Sequence, residues 1–241
     1  LAKPAIEAVE KNKIKIIPGH QKKILLHWLK NIEDWNISRQ IVWGIRIPAW
    51  FKGEKIHIGK KSPGEGWAED PDVFDTWFSS GQWPYLTLGF KDNGKHDKDF
   101  KEFYPTSVME TGADILFFWV ARMIMMGLYR TKKIPFKTVY LHGLVRDKDR
   151  EKMSKSKGNV INPLAVADEY GADAVRAALV AGITPGRDSA ISEDKIRGYR
   201  NFSTKLWNIA RFIAMQQSNS ISKTDKAHLK KLATIKNKVT K

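Results

Sequence analysis

Apolar positions in the middle of the chain predict a helix followed by a strand. Residues 115–129 are almost continuously apolar, with Arg122 as their one charge, and Thr111 and Asp114 before them have the spacing of a helix capping box. The stretch is too short to cross a bilayer, which takes about 20 apolar residues, so it predicts a buried helix. The next run, 136–145, is rich in β-branched and aromatic residues and predicts a strand.

The order of these two elements indicates a parallel α/β sheet. A strand that is reached through a crossover helix runs parallel to its neighbour, and such crossovers are right-handed in nearly all proteins. Ligands of open α/β sheets bind beyond the carboxyl ends of the strands. We therefore expect the loop after Val145 to border a nucleotide site, with half of a nucleotide-binding sheet in residues 36–181 and helices beyond residue 192.

Weaker patterns occupy the first hundred residues. Residues 13–17 predict a short extended run, and residues 21–32 predict an amphipathic helix. Residues 35–50 are dense in aromatic and β-branched side chains and predict a strand and a turn. Residues 52–66 predict a small hairpin, whereas residues 91–102 are charged, lack periodicity and predict a loop.

Helical signals dominate the last third of the chain. Asn162 followed by Pro163 is typical of a helix start, and we expect helices over residues 163–169 and 172–181. Ser192 predicts the cap of a long packed helix. Its buried face is predicted from apolar side chains at helical spacing: Ile196, Tyr199, Phe202, Leu206, Ile209 and Ile213. The lysine-rich tail, 219–241, predicts a frayed or truncated piece of the next helix.

Composition narrows the class of protein. With 241 residues and 42% hydrophobic content, the chain can bury a sizeable core in one or two domains. Lysine and arginine number 42 against 26 acidic residues, and the net charge of +16 favours a polyanionic partner such as nucleic acid. There is no cysteine, which excludes disulfides and thiolate metal sites and fits a reducing compartment.

The clearest chemical signal is the pentapeptide KMSKS, residues 152–156. Lys152 and Lys155 stand three apart, separated by small and flexible side chains and followed by Gly158, which predicts a mobile cationic loop suited to a polyphosphate. A solvated lysine-rich surface is the alternative interpretation of such a run. KMSKS resembles the second signature of the class I aminoacyl-tRNA synthetases.

Further blocks of sequence resemble the valyl-tRNA synthetases within that family and cover nearly the whole chain. They are residues 37–50, 72–90, 111–129, 135–147, 152–164, 170–180 and 200–212. ISRQ followed by WG is similar to the valine, isoleucine and leucine group. Ser79 stands after a Trp-Phe pair where the isoleucine enzymes usually carry an acidic residue, which favours the valine type.

The resemblance implies an α/β fold, the second half of a Rossmann-like parallel sheet followed by an all-α region. It implies three regions. Residues 1–34 are the segment by which the chain returns from an editing insertion, and residues 35–181 form the C-terminal half of the catalytic domain with the KMSKS loop. Residues 182–241 begin the anticodon-binding helices. The family's first signature, His-Ile-Gly-His, and its editing domain are absent from the sequence, so the chain is expected to be a piece of the enzyme that is inactive alone.

The resemblance also implies the reaction: ATP-dependent activation of valine to valyl-adenylate and its transfer to tRNA(Val), in a cytoplasmic and monomeric enzyme that uses ATP with Mg²⁺. No zinc is expected, because the cysteine cluster that many relatives carry after the Pro-Ala-Trp turn has no counterpart in residues 51–66.

The implied site residues fall into four groups. The catalytic group is Lys152, Ser154, Lys155 and Ser156. The ATP-binding group is Gly112, His142, Gly143, Met153 and Lys155. The residues implied to hold valine are Trp77, Asp114 and Ile115. Contacts to tRNA are implied for Arg197, Arg200 and Lys205.

Other interpretations remain open at this point. The nearest rival function is an isoleucyl-tRNA synthetase, since one methylene in an apolar pocket changes binding by only about 1 to 3 kcal/mol. A second rival is a basic RNA-binding module that kept the sheet and lost the chemistry. Trp77, Ile115 and His142 could be core residues, and Asp114 also completes the predicted capping box, a role that is compatible with binding valine.

Overall fold

The computed structural model describes residues 1–216 and 222–240. The chain divides into two compact units. The first unit comprises Leu1–Lys152 and Gly182–Ala190, and the second comprises Met153–Ala181 and Ile191–Lys241.

The first unit mixes helices with short strands. Its helices are α1 (Ala2–Glu10), α2 (His20–Lys30), α3 (Thr76–Ser80), α4 (Trp83–Leu86), α5 (Lys98–Phe103) and α6 (Arg122–Thr131). Its strands are β1 (Lys15–Ile17), β2 (Ser38–Arg39), β3 (Ala49–Lys52), β4 (Lys55–Ile58), β5 (Ala68–Glu69), β6 (Val73–Phe74), β7 (Thr106–Gly112), β8 (Phe136–His142), β9 (Val145–Arg146) and β10 (Ser189–Ala190).

A parallel sheet in the order β1-β8-β7 forms the centre of the first unit. Ile16 of β1, Val139 of β8 and Met109 of β7 lie side by side in register and are buried in the main hydrophobic core. The predicted α/β class and the predicted strand in 136–145 are confirmed. Strand β7 was not predicted, because its polar residues Thr106, Ser107 and Glu110 conceal it in the sequence.

The predicted buried helix after β7 is confirmed, but its start differs from the prediction. A 3₁₀ turn, Ala113–Ile115, leads into a π-helical segment, Leu116–Ala121, and then into α6. The predicted capping box is wrong. Gly112 is the residue that precedes the 3₁₀ turn, and no side chain caps it, because Thr111 instead continues β7 and pairs in register with Leu141.

Helices α1 and α2 pack on the same core and confirm the predicted amphipathic helix. Leu25 and Leu29 are buried. Ile24 and Trp28 are about half exposed, although Trp28 stacks on Phe117 with ring centroids 4.8 Å apart.

The prediction of a strand in 35–50 is wrong over most of its length. Only β2 and the first residues of β3 are extended and paired, apart from an isolated bridge from Arg46 to Val73. Val42 and Trp43 between them are almost fully exposed. Apolar composition alone does not make a strand, because the backbone also needs a neighbouring strand to satisfy its hydrogen bonds.

Two local predictions in the first unit have opposite outcomes. The hairpin is confirmed, since β3 and β4 pair antiparallel around Gly53, whose φ is +59°. The loop predicted for 91–102 is wrong at its end, where α5 forms. Phe100 is buried and stacks at 4.6 Å on Tyr104, a residue that lies beyond the charged segment.

The second unit is helical, and the helices predicted over residues 163–169, 172–181 and after Ser192 are confirmed in it. It contains α7 (Pro163–Tyr170), α8 (Ala172–Val180), α9 (Glu193–Met215) and α10 (Lys223–Val239). Asn162 and Ser192 cap α7 and α9 by accepting hydrogen bonds from the backbone N–H groups of Leu164 and Lys195. Both predicted caps are therefore confirmed.

The packed face predicted for α9 is only partly correct. Ile196 is buried and Tyr199 packs on the core of the second unit, but the later apolar side chains, Phe202, Leu206, Ile209 and Ile213, are about half exposed or more. The predicted tail helix is confirmed in α10, while residues 217–221 and 241 lie outside the described residues. Over the described ranges, no helix is both long and apolar enough to cross a membrane.

Candidate active site

Three predicted site residues meet at the carboxyl ends of two neighbouring parallel strands. Gly112, the last residue of β7, pairs in register with His142, the last residue of β8. A Cβ added to Gly112 would lie 2.5 Å from Oδ1 of Asp114 and 3.3 Å from Nε2 of His142. Asp114 and His142 therefore face the same small space, which only glycine leaves open.

Glu110 orients His142, and sequence reasoning missed it. Glu110 lies two residues before Gly112 on β7, so both project to the same face of the sheet. Oε1 of Glu110 is in hydrogen-bonding contact with Nδ1 of His142. Since a carboxylate can only accept, Nδ1 donates, and Nε2 is the nitrogen turned toward Gly112. A polar residue two positions before a strand-end glycine was the signal available in the sequence.

Gly143 lies in close contact with a distant part of the first unit. A Cβ at this position would overlap the carbonyl oxygen of Arg187 and lie 2.6 Å from the backbone nitrogen of Asp188. The glycine thus allows the segment 187–188 to pack on the end of β8. Its predicted contact with the nucleotide remains a prediction.

Lys152 is held in place by its backbone. It forms an antiparallel bridge with Arg146 of β9. The chain between them turns around Asp147, whose carboxylate accepts hydrogen bonds from the backbone N–H groups of Asp149 and Glu151 at 3.0 and 2.7 Å. This turn fixes where the first lysine of KMSKS begins.

Asp188 stabilises β9, the strand that forms the bridge to Lys152. Its carboxylate accepts from the Leu144 backbone N–H at 2.8 Å and from Nε of Arg146 at 2.5 Å. The Leu144 hydrogen bond, and after it the Arg146 side chain, lower the pKa of Asp188. The carboxylate is therefore ionised at neutral pH and anchors β9 to β10.

The rest of KMSKS begins the second unit. Ser154 donates its backbone N–H to Oδ1 of Asn159 at 2.9 Å, and its hydroxyl accepts from the backbone N–H of Lys157 at 3.3 Å. Its Oγ also lies 3.2 Å from Oγ of Ser156. The Ser154 hydroxyl thus caps the 3₁₀ turn Lys155–Lys157, which presents the exposed Lys155 at its start.

Met153 has a different environment from the lysines beside it. Its side chain packs against the hydrophobic core of the second unit. This packing contact accounts for the presence of a methionine in the pentapeptide. The contact between Met153 and ATP remains a prediction.

The two apolar residues predicted to hold valine lie on neighbouring elements. Trp77 on α3 stacks on Phe118 with ring centroids 5.9 Å apart. Ile115 ends the 3₁₀ turn just before the π-helical segment, which α3 contacts. Both side chains are half-buried, so each has surface left for a ligand.

A polar cluster around Asp75 supports Trp77 and was also missed. The buried Asp75 carboxylate accepts from the Trp77 backbone N–H at 3.0 Å, from Nε1 of Trp35 at 2.9 Å and from Nη2 of Arg39 at 2.6 Å. Burial by itself raises the pKa of the Asp75 carboxyl. The hydrogen bonds from Trp77 and Trp35 and the charge of Arg39 outweigh burial, so its pKa lies below the ordinary value.

Arg122 completes this cluster. Its guanidinium lies 3.9 Å from the centroid of the Trp35 ring, and burial lowers the pKa of the Arg122 side chain. Trp35, Arg39 and Arg122 line a cavity of about 960 Å³, which none of the predicted site residues lines. The hydrogen bond from Arg39 to Asp75 gives Arg39 a structural role in this cluster.

The residues predicted to contact tRNA lie on α9. Arg197, Arg200 and Lys205 are exposed. A hydrogen bond with the Tyr170 side chain, followed by the charge of Asp194, raises the pKa of Arg197. Across residues 1–216 and 222–240, no group of three histidine, aspartate or glutamate side chains is arranged to hold a metal ion.

Comparison with known proteins gives one matching family. The profile described as tRNA synthetases class I (I, L, M and V) matches residues 1–65 and 53–192. The valine--tRNA ligase of Dehalococcoides mccartyi strain CBDB1 is 51% identical over 238 residues, which is 95% of this chain and 27% of the relative. That of strain ATCC BAA-2266 is 53% identical over 224 residues, 89% of this chain and 25% of the relative. The chain thus spans about a quarter of the length of these relatives.

Solved structures show the same fold. The methionyl-tRNA synthetase of Mycobacterium tuberculosis in complex with methionyl-adenylate matches with a TM-score of 0.72 at 23% identity, over 95% of this chain and 43% of that one. At this identity the likeness concerns the fold, and it confirms the expected parallel sheet with helices.

Proposed function

The chain belongs to the class I tRNA synthetases of the I, L, M and V group, and we propose that it forms the second half of the active site of a valine--tRNA ligase. Such an enzyme activates valine with ATP, releases pyrophosphate and transfers the valyl group to tRNA(Val). Relatives at about 50% identity that carry this name support valine over isoleucine. So does Ser79 after the Trp-Phe pair.

The observation that carries the proposal is the convergence of Gly112, Asp114 and His142 at the carboxyl edge of the sheet. An exposed carboxylate at this edge is suited to accept the ammonium group of valine. Glycine leaves room for the nucleoside to approach the backbone. His142, held by Glu110, would line the nucleoside side of the site. Trp77 and Ile115 would supply the apolar surface that valine needs.

The two lysines would act on the leaving group. The valine carboxylate attacks the α-phosphate of ATP, the bond to the β-phosphate breaks, and negative charge builds on the departing pyrophosphate. Ammonium groups at that position stabilise the transition state more than the ground state. The backbone bridge that holds Lys152 and the capped turn that presents the exposed Lys155 support this role.

The remaining assignments follow from the same proposal. ATP would enter as its Mg²⁺ complex. The anticodon-binding domain would begin at residue 182. Its helices would contact tRNA phosphates through Arg197, Arg200 and Lys205. Residues 1–34 would return from the editing insertion to the catalytic half-domain, residues 35–181. The enzyme would work as a monomer in the cytoplasm.

A chimera tests the proposed function. The segment of the Dehalococcoides mccartyi strain CBDB1 valine--tRNA ligase that matches this chain is replaced by the chain itself. We expect the chimera to exchange pyrophosphate into ATP when valine is present, and to prefer valine to isoleucine. A chimera that folds, as judged by its thermal melt, and yet shows no valine-dependent exchange would contradict the proposal. Preference for isoleucine would contradict the valine assignment alone.

A further inference from the structure

Three arginines gather around a cavity of about 430 Å³ in the first unit. Arg146, Arg150 and Arg187 line it together with Asp188. Three positive charges against one negative charge leave the lining with a net charge of about +2. None of these arginines belongs to the site proposed above.

The Arg146 side chain lines this cavity and is held in a fixed orientation. Its Nε donates to Oδ2 of Asp188, whose other oxygen accepts from the backbone of Leu144. The Arg146 side chain is 31% exposed. Asp188 therefore satisfies one edge of the Arg146 guanidinium and holds it in place, while Nη1 on the other edge makes a long contact, 3.4 Å, to the backbone oxygen of Arg150.

Arg150 and Arg187 carry the charge that is not neutralised. Both are exposed, and within the described residues neither guanidinium has an acidic side chain in salt-bridge distance. The backbone of each is nevertheless anchored. Arg150 donates its N–H to the carbonyl of Asp147 in the tight turn before Lys152. Arg187 lies against Gly143 at the end of β8.

Arg150 also occupies an unusual backbone conformation. Its φ is +64°, in the left-handed region that favours glycine. The turn geometry alone would therefore select glycine, yet an arginine stands there and its side chain lines the cavity. A residue that its own backbone disfavours is a signal of a role for its side chain.

We propose that this cavity is a phosphate-binding site. Guanidinium groups offer paired N–H donors that match the oxygens of a phosphate, and two of the three groups here have their donors available. The phosphate could belong to an RNA backbone or to a nucleotide polyphosphate, because the recognition chemistry is the same. This binding site does not depend on the proposed reaction, because none of its arginines belongs to the pair Lys152 and Lys155.

The test measures binding by the purified 241-residue chain. The probes are a short labelled RNA hairpin, followed by fluorescence anisotropy over a salt series, and inorganic tripolyphosphate, followed by calorimetry. The variants are Arg150→Gly, which suits the backbone conformation, Arg187→Gln, and the two combined. The control is the double variant Lys23→Gln and Arg176→Gln, which removes two exposed positive charges elsewhere.

We expect the combined variant to bind at least one probe about fivefold more weakly, and the control to change by less than about twofold. Loss of RNA binding alone would identify a backbone phosphate as the ligand, and loss of tripolyphosphate binding alone a nucleotide. If the combined variant matched the control with both probes, the inference would be overturned. Arg150→Gly separates binding from folding, because it removes the guanidinium and relieves the backbone. A weakened affinity in a chain that melts no earlier than the parent therefore reports on the side chain.

Discussion

Gly112 and His142 are register partners at the ends of two parallel strands, and the missing side chain of Gly112 is what keeps the space beside Nε2 of His142 open. The pairing joins residues thirty positions apart in the sequence into one edge. It also brings Asp114 to that edge, because Asp114 lies in the first turn after β7.

Replacing Gly112 by alanine should impair valine use in the chimera. The added Cβ would lie 2.5 Å from Oδ1 of Asp114, so this carboxylate must move away from the position proposed for the valine ammonium. We expect KM for valine to rise about tenfold, the loss of one charge-assisted hydrogen bond. Pyrophosphate exchange at varied valine concentration measures it. Gly19→Ala is the control, since a Cβ there meets nothing within 4 Å. An unchanged KM would remove Asp114 from the site.

Lys155→Ala should slow the chemical step in the chimera. The charge that Lys155 is proposed to meet develops mainly in the transition state, so kcat for pyrophosphate exchange should fall by about two orders of magnitude, roughly 3 kcal/mol, with little effect on valine binding. Lys98→Ala, an exposed lysine on α5, should leave the rate unchanged. The assigned role would be wrong if only the affinity for valine fell.

Asp75→Asn should destabilise the chain near neutral pH by about 2 kcal/mol, because Arg39 would lose the charge of its partner. Solvent screens this ion pair in part, because the Arg39 side chain is 40% exposed. The folded-state pKa of Asp75 lies below its unfolded value. Its stabilising contribution is therefore present above the unfolded pKa, near 4, and is lost as pH falls through the folded pKa.

Urea denaturation of the chain and of the Asp75→Asn variant at several pH values measures this effect. The difference in unfolding free energy should shrink as the pH falls below about 4. Asp99→Asn on α5, where the carboxylate is exposed, is the control. A difference that stays constant with pH would show that the charge of Asp75 does not contribute to stability.

Arg150→Gly should raise the stability of the chain slightly. A left-handed φ costs a side-chain residue about 1 kcal/mol, and the greater freedom of glycine in the unfolded chain offsets part of that gain. A net increase of about 0.5 kcal/mol in unfolding free energy is expected. Lys148→Gly in the same turn, where φ is not positive, should instead lower stability. Denaturant titration of both variants measures the change in unfolding free energy. Equal destabilisation by both would show that the left-handed backbone at Arg150 does not disfavour its side chain.

Removing positive charge from α9 should weaken tRNA binding without changing its specificity. Arg200→Gln and Lys205→Gln each delete an exposed cation. If both contact phosphates, the slope of log affinity against log salt should fall by about one unit for each. Lys3→Gln on α1 provides a control of equal charge. Slopes identical to that of the control would assign tRNA contact to another surface.

Features that depend on a few neighbouring residues could be predicted from the sequence. Asn162 and Ser192 cap their helices because a short polar side chain reaches only the next turn of backbone. The hairpin around Gly53 closes between adjacent strands for a similar reason. The strand in 136–145 was evident because β-branched and aromatic residues are concentrated there, and its buried residues Phe136, Val139 and Leu141 are all apolar.

Features that depend on distant partners could not be predicted in this way. Thr111 has the spacing of a cap, but pairing with Leu141 satisfies its backbone in the sheet and overrides that local preference. Val42 and Trp43 are apolar and yet exposed. Helix α9 shows an apolar stripe of which only the first turns are covered. In each case the outcome depends on which surface lies opposite, and that surface is encoded elsewhere in the chain.

The sequence alone therefore determined the parallel α/β class, the helical end of the chain and the family to which KMSKS points, because hydrophobic period, caps and a rare motif are local properties. Only the tertiary structure brought Glu110 to His142, Asp75 to Trp35 and Arg39, and Arg187 to Gly143. These contacts join residues that are 32 to 44 positions apart. The register of β7 with β8, the pairing of β2 with β6 and the packing of segment 187–188 on a strand end decide them, because only the folded backbone brings these distant residues into contact.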